Sequence, residues 1–311
     1  MKILIAGGAG FIGSNSVDYF LKKGHTVVVV DNLYSGNYDN IKSHVDNGSI
    51  EYFKESVCDI DKLKDIFLKH DFDLCVNFAA LVSVVESAEN VELTEEINTK
   101  GLINLLKLSG ENGVKAFVHA SSAAIYGDNP VLPKIETMRP EPKSPYGISK
   151  LTGEYYNSYY ASIYGFSGIN FRFFNVFGPR QNPNSAYAAA VPIFIRRALN
   201  NQTITIYGDG TQTRDFVFVE DLISAIDCVV SSGKVNDIIN VGYGESISIN
   251  DLVKMIIELT GSKSIIEYKP ARGMEVLHSY SSVDKLKSYG WSPGSGFING
   301  INRTIEWMKT V

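Results

Sequence analysis

Short apolar runs alternate with longer amphipathic stretches through the first half of the chain. Ile3-Leu4-Ile5-Ala6 and Thr26-Val27-Val28-Val29-Val30 read as buried strands, and further strands are legible at 50–53, 74–77, 116–121 and 168–174. Helical periodicity fills the intervals: from Phe11 to about Lys23, over 92–111 and over 146–164. Strand and helix in alternation predict a parallel sheet covered on both faces. After Phe174 the alternation weakens, and 175–184 is rich in Gly, Pro and Asn. A first domain over 1–174 and a smaller lobe over 175–311 are therefore expected, with part of 214–242 returning to the first. Within the lobe the pattern predicts a helix near 191–199, a strand at 203–207 and a helix at 220–231. No internal repeat or low-complexity tract is present.

The first strand runs into Gly7-Gly8-Ala9-Gly10-Phe11-Ile12-Gly13, which opens the first helix. Strand, glycine turn and helix in that order suit a dinucleotide: backbone N–H groups approach a pyrophosphate at the positive end of the helix. The second strand ends at Asp31, an acid placed to accept hydrogen bonds from both hydroxyls of an adenosine ribose. It would repel a 2′-phosphate, and Asn32-Leu33 supplies no arginine to receive one, so NAD is expected rather than NADP. Asp59 follows the third strand and has two readings, a contact to the adenine amino group or a cap for the helix starting near Asp61.

At 311 residues and 44% hydrophobic side chains, the chain can build a large core. A net charge of -5 argues against a general nucleic-acid or membrane-surface binder. The cysteines, Cys58, Cys75 and Cys228, are widely spaced, without zinc spacing, and read as reduced thiols. Met1-Lys2 leads directly into the first strand and no apolar run is long enough to span a bilayer, so a soluble cytoplasmic protein without membrane or nucleic-acid partners is expected. No metal site is expected.

Ser144-Pro145-Tyr146-Gly147-Ile148-Ser149-Lys150 places a tyrosine and a lysine one helical turn apart at a helix start, with Ser144 as candidate cap and Pro145 in the first turn. An ammonium beside a phenol favours the phenolate, so Tyr146 is a candidate proton acceptor. The same helix carries Tyr155, Tyr156, Tyr159, Tyr160 and Tyr164, a band that fits either a core stripe or, in part, an interface.

Taken together, Gly7–Gly13, Asp31, Ser121-Ser122, Tyr146 with Lys150, and Arg172-Phe173-Phe174-Asn175-Val176-Phe177-Gly178-Pro179-Arg180-Gln181 resemble, in this order, the extended short-chain dehydrogenase/reductases of the nucleotide-sugar epimerase group. The similarity is greatest to 4-epimerases of UDP-glucose and UDP-N-acetylglucosamine. It implies an α/β, Rossmann-type doubly wound parallel sheet with a smaller C-terminal substrate-binding lobe, and C4 epimerisation through a 4-keto sugar with NAD regenerated. In that scheme Tyr146, Lys150 and Ser122 are catalytic, Lys150 holding the nicotinamide ribose and lowering the tyrosine pKa. A shift of three units would correspond to roughly 4 kcal/mol. NAD is then held by Gly7, Gly10, Phe11, Ile12, Gly13, Asp31, Asn32, Asp59, Ile60, Ala79, Ala80, Asn98, Tyr146 and Lys150. The UDP-sugar falls to Ser83, Ser122, Tyr146, Asn175, Tyr207, Arg214, Arg272, Glu275 and Ser279. A homodimer through the two long helices is implied.

Three departures matter. Ala123 and Ala124 follow Ser122 where the related dehydratases place Asp-Glu and the related decarboxylases a glutamate, so elimination and decarboxylation rank below epimerisation. Asn77 stands where the group usually has histidine, and that role is not carried over. Val82-Ser83 replaces a lysine found near the phosphates in some UDP-galactose enzymes, and small Ser279 leaves room for an acetamido group, both pointing towards N-acetylhexosamines. A UDP-glucuronate epimerase or lyase, and more remotely a non-catalytic NAD sensor, are the competing readings.

Overall fold

The computed structural model describes residues 1–183, 189–233, 235–271 and 277–311. Strands β1 (Lys2–Ala6), β2 (Thr26–Val30), β3 (Ile50–Phe53), β4 (Leu74–Asn77), β5 (Ala116–Ser122) and β6 (Ser167–Phe173) alternate with helices α1 (Phe11–Lys22), α2 (Lys42–Asp46), α3 (Ile60–Lys69), α4 (Val84–Glu89), α5 (Val91–Glu95), α6 (Gly101–Glu111) and α7 (Pro145–Tyr164). Beyond them come β7 (Asn175–Phe177), α8 (Ala190–Leu199), β8 (Ile204–Tyr207), β9 (Thr213–Arg214), β10 (Phe216–Phe218), α9 (Val219–Ser231) and β11 (Asp237–Val241). The remainder is β12 (Ile247–Ser248), α10 (Ile249–Thr260), β13 (Ile266–Lys269), β14 (His278–Ser279), α11 (Asp284–Ser288) and α12 (Phe297–Met308).

Seven strands pair in parallel in the order β11-β6-β5-β4-β1-β2-β3. The chain runs outward from β1 to β3, crosses back, and runs outward again from β4. Order therefore reverses between β1 and β4, which opens a crevice beyond the carboxyl ends of those strands.

Alternation along each strand serves the two faces. Ile3, Ile5, Val27 and Val29 pack with Val17 and Phe20 of α1 and Leu222 and Ile226 of α9. Leu4, Val28, Cys75 and Phe117 point the other way, against Leu63 and Phe67 of α3 and Leu102 and Leu105 of α6. The first cluster continues into Ile195 of α8, Leu252 and Ile256 of α10 and Ile301 and Ile305 of α12. The segment after Phe174 thus shares its core with the main sheet, and β11 returns to that sheet beside β6. Three small sheets, β10-β7, β12-β9-β14 and β13-β8, lie in the segment after Phe174.

The pattern over 92–111 predicts one helix, but the structure has α5, a wide π turn at Glu96–Lys100, and then α6. Hydrophobic period cannot register a single-residue widening of this kind. At the turn Asn98 is buried; its amide donates to the Leu81 carbonyl and to Ser149 Oγ, both at 3.0 Å, and its Oδ1 accepts the Leu81 N–H at 2.7 Å. It ties the loop after β4 to α7.

Candidate active site

The glycine turn lies in the crevice between β1 and β4. Gly7 adopts φ +78°, and a Cβ there would stand 2.7 Å from the Ala79 backbone nitrogen, so the loops after β1 and β4 touch with no room for a side chain. At Gly13 a Cβ would be 2.0 Å from the Gly7 carbonyl oxygen. Helix α1 begins with no side-chain cap and no acid in its first turn, leaving its positive end to backbone N–H groups. Phe11 and Ile12 pack into the core behind it.

Asp31 follows β2 and is buried; its Oδ2 accepts the Ala9 N–H at 2.9 Å and its Oδ1 the Leu33 N–H at 2.8 Å. Burial raises its pKa, and these backbone donors oppose the rise. It braces the glycine turn from below, beside exposed Asn32. Further along that loop, the Tyr34 hydroxyl donates to Glu86 Oε1 of α4 at 2.8 Å, linking the segments after β2 and β4. Asp59 follows its second reading: Oδ1 caps α3 by accepting the Lys62 N–H at 3.1 Å, while Ile60 packs against the core. Ala79 and Ala80 follow β4, and Asn77, at its end, accepts the Ala79 N–H at 3.1 Å.

The catalytic candidates converge at the carboxyl end of β5. Ser144 caps α7 by accepting the Gly147 N–H at 3.1 Å, Pro145 occupies the first turn, and Tyr146 and Lys150 face β5 one turn apart. Ser122 ends β5 beside Tyr146, and its Oγ accepts the Ala124 N–H at 3.1 Å. Lys150 is 4% exposed, with Nζ 5.7 Å from the centre of the Tyr146 ring. Desolvation works against the lowering of the phenol expected from the lysine. Burial raises Tyr146 above its ordinary value, with only Ser122 opposing, and it lowers Lys150 to about 8. The ammonium lies over the ring, Lys150 is buried and Tyr146 half-buried, and desolvation is the larger influence on both. At neutral pH Lys150 remains mostly charged. His119, further back on β5, is pushed down to about 3 by burial, with the Lys150 charge adding to the effect, and stays neutral.

Two residues that the sequence did not single out hold this arrangement. Ser87 of α4 is fully buried; its Oγ accepts the Tyr146 N–H at 3.1 Å and donates to the Val84 carbonyl at 2.7 Å, pinning the start of α7. Nothing in Val84-Val85-Glu86-Ser87 marks it. Asp215 is also buried. Its carboxylate accepts N–H groups of Tyr243 (2.7 Å), Gly244 (3.1 Å) and Ser281 (3.1 Å) and the Ser281 hydroxyl (2.7 Å). Its carbonyl takes the Asn175 amide at 3.1 Å. An acid opening the apolar run Asp215-Phe216-Val217-Phe218 was the available signal.

Around Asp215 the residues expected to face the sugar are arranged. Arg214 and Ser279 lie in register on the paired strands β9 and β14, and Arg214 Nη1 donates to the carbonyls of Thr213 (2.9 Å) and Leu277 (3.2 Å). Tyr207 is exposed at the end of β8. Ser83 caps α4, accepting the Glu86 N–H at 3.0 Å. Arg272 and Glu275 lie outside the described residues. Among the described residues no cluster of His, Cys, Asp or Glu suits a metal ion, and no helix is long and apolar enough to cross a membrane. On α7, Tyr155, Tyr159 and Ile163 are exposed, while Tyr160 packs on the core and stacks with Tyr164 at 6.1 Å.

A turn too tight for side chains at an uncapped helix start, with an acid at the next strand end, fits a dinucleotide; the Ser122, Tyr146 and Lys150 group beyond it defines an enzyme that moves protons beside that dinucleotide. Comparison with known proteins narrows the class. The chain belongs to the NAD dependent epimerase/dehydratase family, whose pattern matches residues 3–242. It is 38% identical to the putative UDP-glucose 4-epimerase of Methanocaldococcus jannaschii, over 99% of this chain and 98% of that protein. The crystal structure of Thermotoga maritima UDP-glucose 4-epimerase with UDP-glucose superposes with a TM-score of 0.94 at 37% identity, covering 100% and 99% of the two chains. The Methanobrevibacter ruminantium UDP-N-acetylglucosamine 4-epimerase in complex with UDP-N-acetylmuramic acid gives 0.94 at 33% identity, covering 99% and 98%.

Proposed function

We propose that the protein is an NAD-dependent isomerase that inverts C4 of UDP-hexoses, the UDP-glucose/UDP-galactose pair and also the N-acetylated pair. The observation that carries this reading is the meeting of Ser122, Tyr146 and Lys150 at the end of β5, followed by Ala123-Ala124. NAD, when bound, supplies the acceptor and donor for the hydrogen on C4. Tyr146 Oη takes the 4-hydroxyl proton as the ketone forms and returns it after the sugar has turned its other face. Ser122 Oγ donates to the phenolate while it exists, and the Lys150 charge favours it. The two alanines offer no second acid or base, so loss of water or carbon dioxide has no proton donor there.

Gly7, Gly10 and Gly13 with the start of α1 would hold the pyrophosphate and Asp31 the adenosine ribose. Asn175, Arg214 and Ser279 would face the UDP-sugar, with Arg272 and Glu275 completing the set. The exposed apolar stripe Tyr155, Tyr159 and Ile163 on α7 supports a homodimer, and three free thiols support cytoplasmic residence. NMR of the purified protein with UDP-glucose, UDP-N-acetylglucosamine and their uronic acids tests the whole reading. Inverted hexoses support it; carbon dioxide or an accumulating 4-keto-6-deoxy sugar sinks it.

A further inference from the structure

Along α7, Tyr146 and Lys150 are followed after one more turn by Glu154, so the three share the face turned to β5. Glu154 is 1% exposed, and its carboxylate is fully occupied. Oε1 accepts the Ser121 hydroxyl at 2.6 Å and Arg172 Nε at 2.9 Å; Oε2 accepts Arg172 Nη2 at 2.8 Å. Arg172 Nη1 in turn donates to the Tyr126 hydroxyl at 2.9 Å and to the Glu136 carbonyl at 3.1 Å. A buried ion pair of this kind is weak evidence for stability, since apolar residues of equal volume serve as well. What it fixes is geometry. Ser121 is bonded to the third turn of α7, while its neighbour Ser122, the last residue of β5, lies beside Tyr146 in the first turn, about 12 Å away along the helix.

We propose that Glu154, held in place by Arg172, is a positioning residue: it grips Ser121 and thereby sets the Ser122 hydroxyl against the Tyr146 oxygen. The proposal rests on the reading of Tyr146 and Ser122 as the proton-handling pair.

Ser121→Ala is the informative variant, because it deletes the strand's link and leaves the Glu154–Arg172 pair intact. Turnover of UDP-glucose should fall about tenfold with KM changed less than about twofold, and Ser121→Thr, which keeps the hydroxyl, should restore it. A second arm needs no substrate. The Tyr146 phenol is titrated by ultraviolet difference absorbance, subtracting the same protein carrying Tyr146→Phe; its midpoint should rise in Ser121→Ala. Wild-type turnover and an unmoved midpoint in Ser121→Ala would overturn the proposal, whatever happens to its melting temperature. A moved midpoint in a protein that epimerises no UDP-hexose would instead overturn the proposed function and leave the positioning role standing.

Discussion

The side of the crevice proposed for the nucleotide and the side proposed for the sugar are built by opposite means. Around Gly7 and Gly13 the fit is made by backbone with no spare volume, on the carboxyl ends of strands inside a seven-stranded sheet. Around Arg214 and Ser279 it is made by half-buried side chains on strands two residues long, held together by one buried carboxylate, Asp215. The first arrangement admits one ligand shape. The second allows the pocket wall to change by single substitutions without disturbing the core.

The seam between the halves gives the largest expected effect. Tyr146→Phe removes one oxygen from a site held by many other contacts, so turnover should fall by about a thousandfold while the fold and bound NAD stay. Activity within about tenfold of wild type would remove Tyr146 from the chemistry. In the nucleotide half, the wild type should purify with near-equal NAD(H), and Gly13→Ala should bind it about a hundredfold more weakly, since the methyl has only backbone to displace. Equal cofactor content in both proteins would break the contrast.

Lys150 adds a test by pH. Its folded value, about 8, lies below the unfolded 10.5, so between these the unfolded chain holds a proton that the folded chain has released. Stability from this group therefore rises with pH in that window, by up to about 1.4 kcal/mol per unit, and its full penalty stands below it. Tyr146, raised when folded, works in the opposite sense only as pH passes the ordinary phenol value of 10. Urea unfolding of nucleotide-stripped protein between about pH 8 and 10 should show wild type gaining on Lys150→Met; parallel curves would mean the ammonium is hydrated. In the sugar half, Ser279→Tyr should cost the N-acetylated substrates about 1–3 kcal/mol in kcat/KM and spare UDP-glucose. Equal loss on both pairs would show that Ser279 does not line the pocket.

The same contrast governs what was legible beforehand. The main strands, the glycine turn, the α7 cap and the Tyr146/Lys150 spacing are local patterns, and each falls within two residues of its reading. What escaped depends on contacts distant in sequence. Resemblance names Asn98 for the NAD site, but nothing in the helical spacing shows that the π turn bonds it to Leu81 and Ser149. Ser87 and Asp215 acquire their roles from residues 59 and 66 positions away. For Tyr146, spacing reports the charged neighbour, and only the packed structure reports the burial that works against it.

The return of β11 to the sheet also orders events during synthesis. A chain emerging from the ribosome presents the glycine turn, Tyr146 and Lys150 before residues 237–241 exist. Until they arrive, β6 has no neighbour on its outer side and Tyr126 lacks Asn240, which accepts its hydroxyl at 2.7 Å. A nascent chain stopped after Phe173 would thus carry the reactive pair beside an open parallel edge rich in Ile169, Phe171 and Phe173, the kind of edge on which unfinished chains stick to one another.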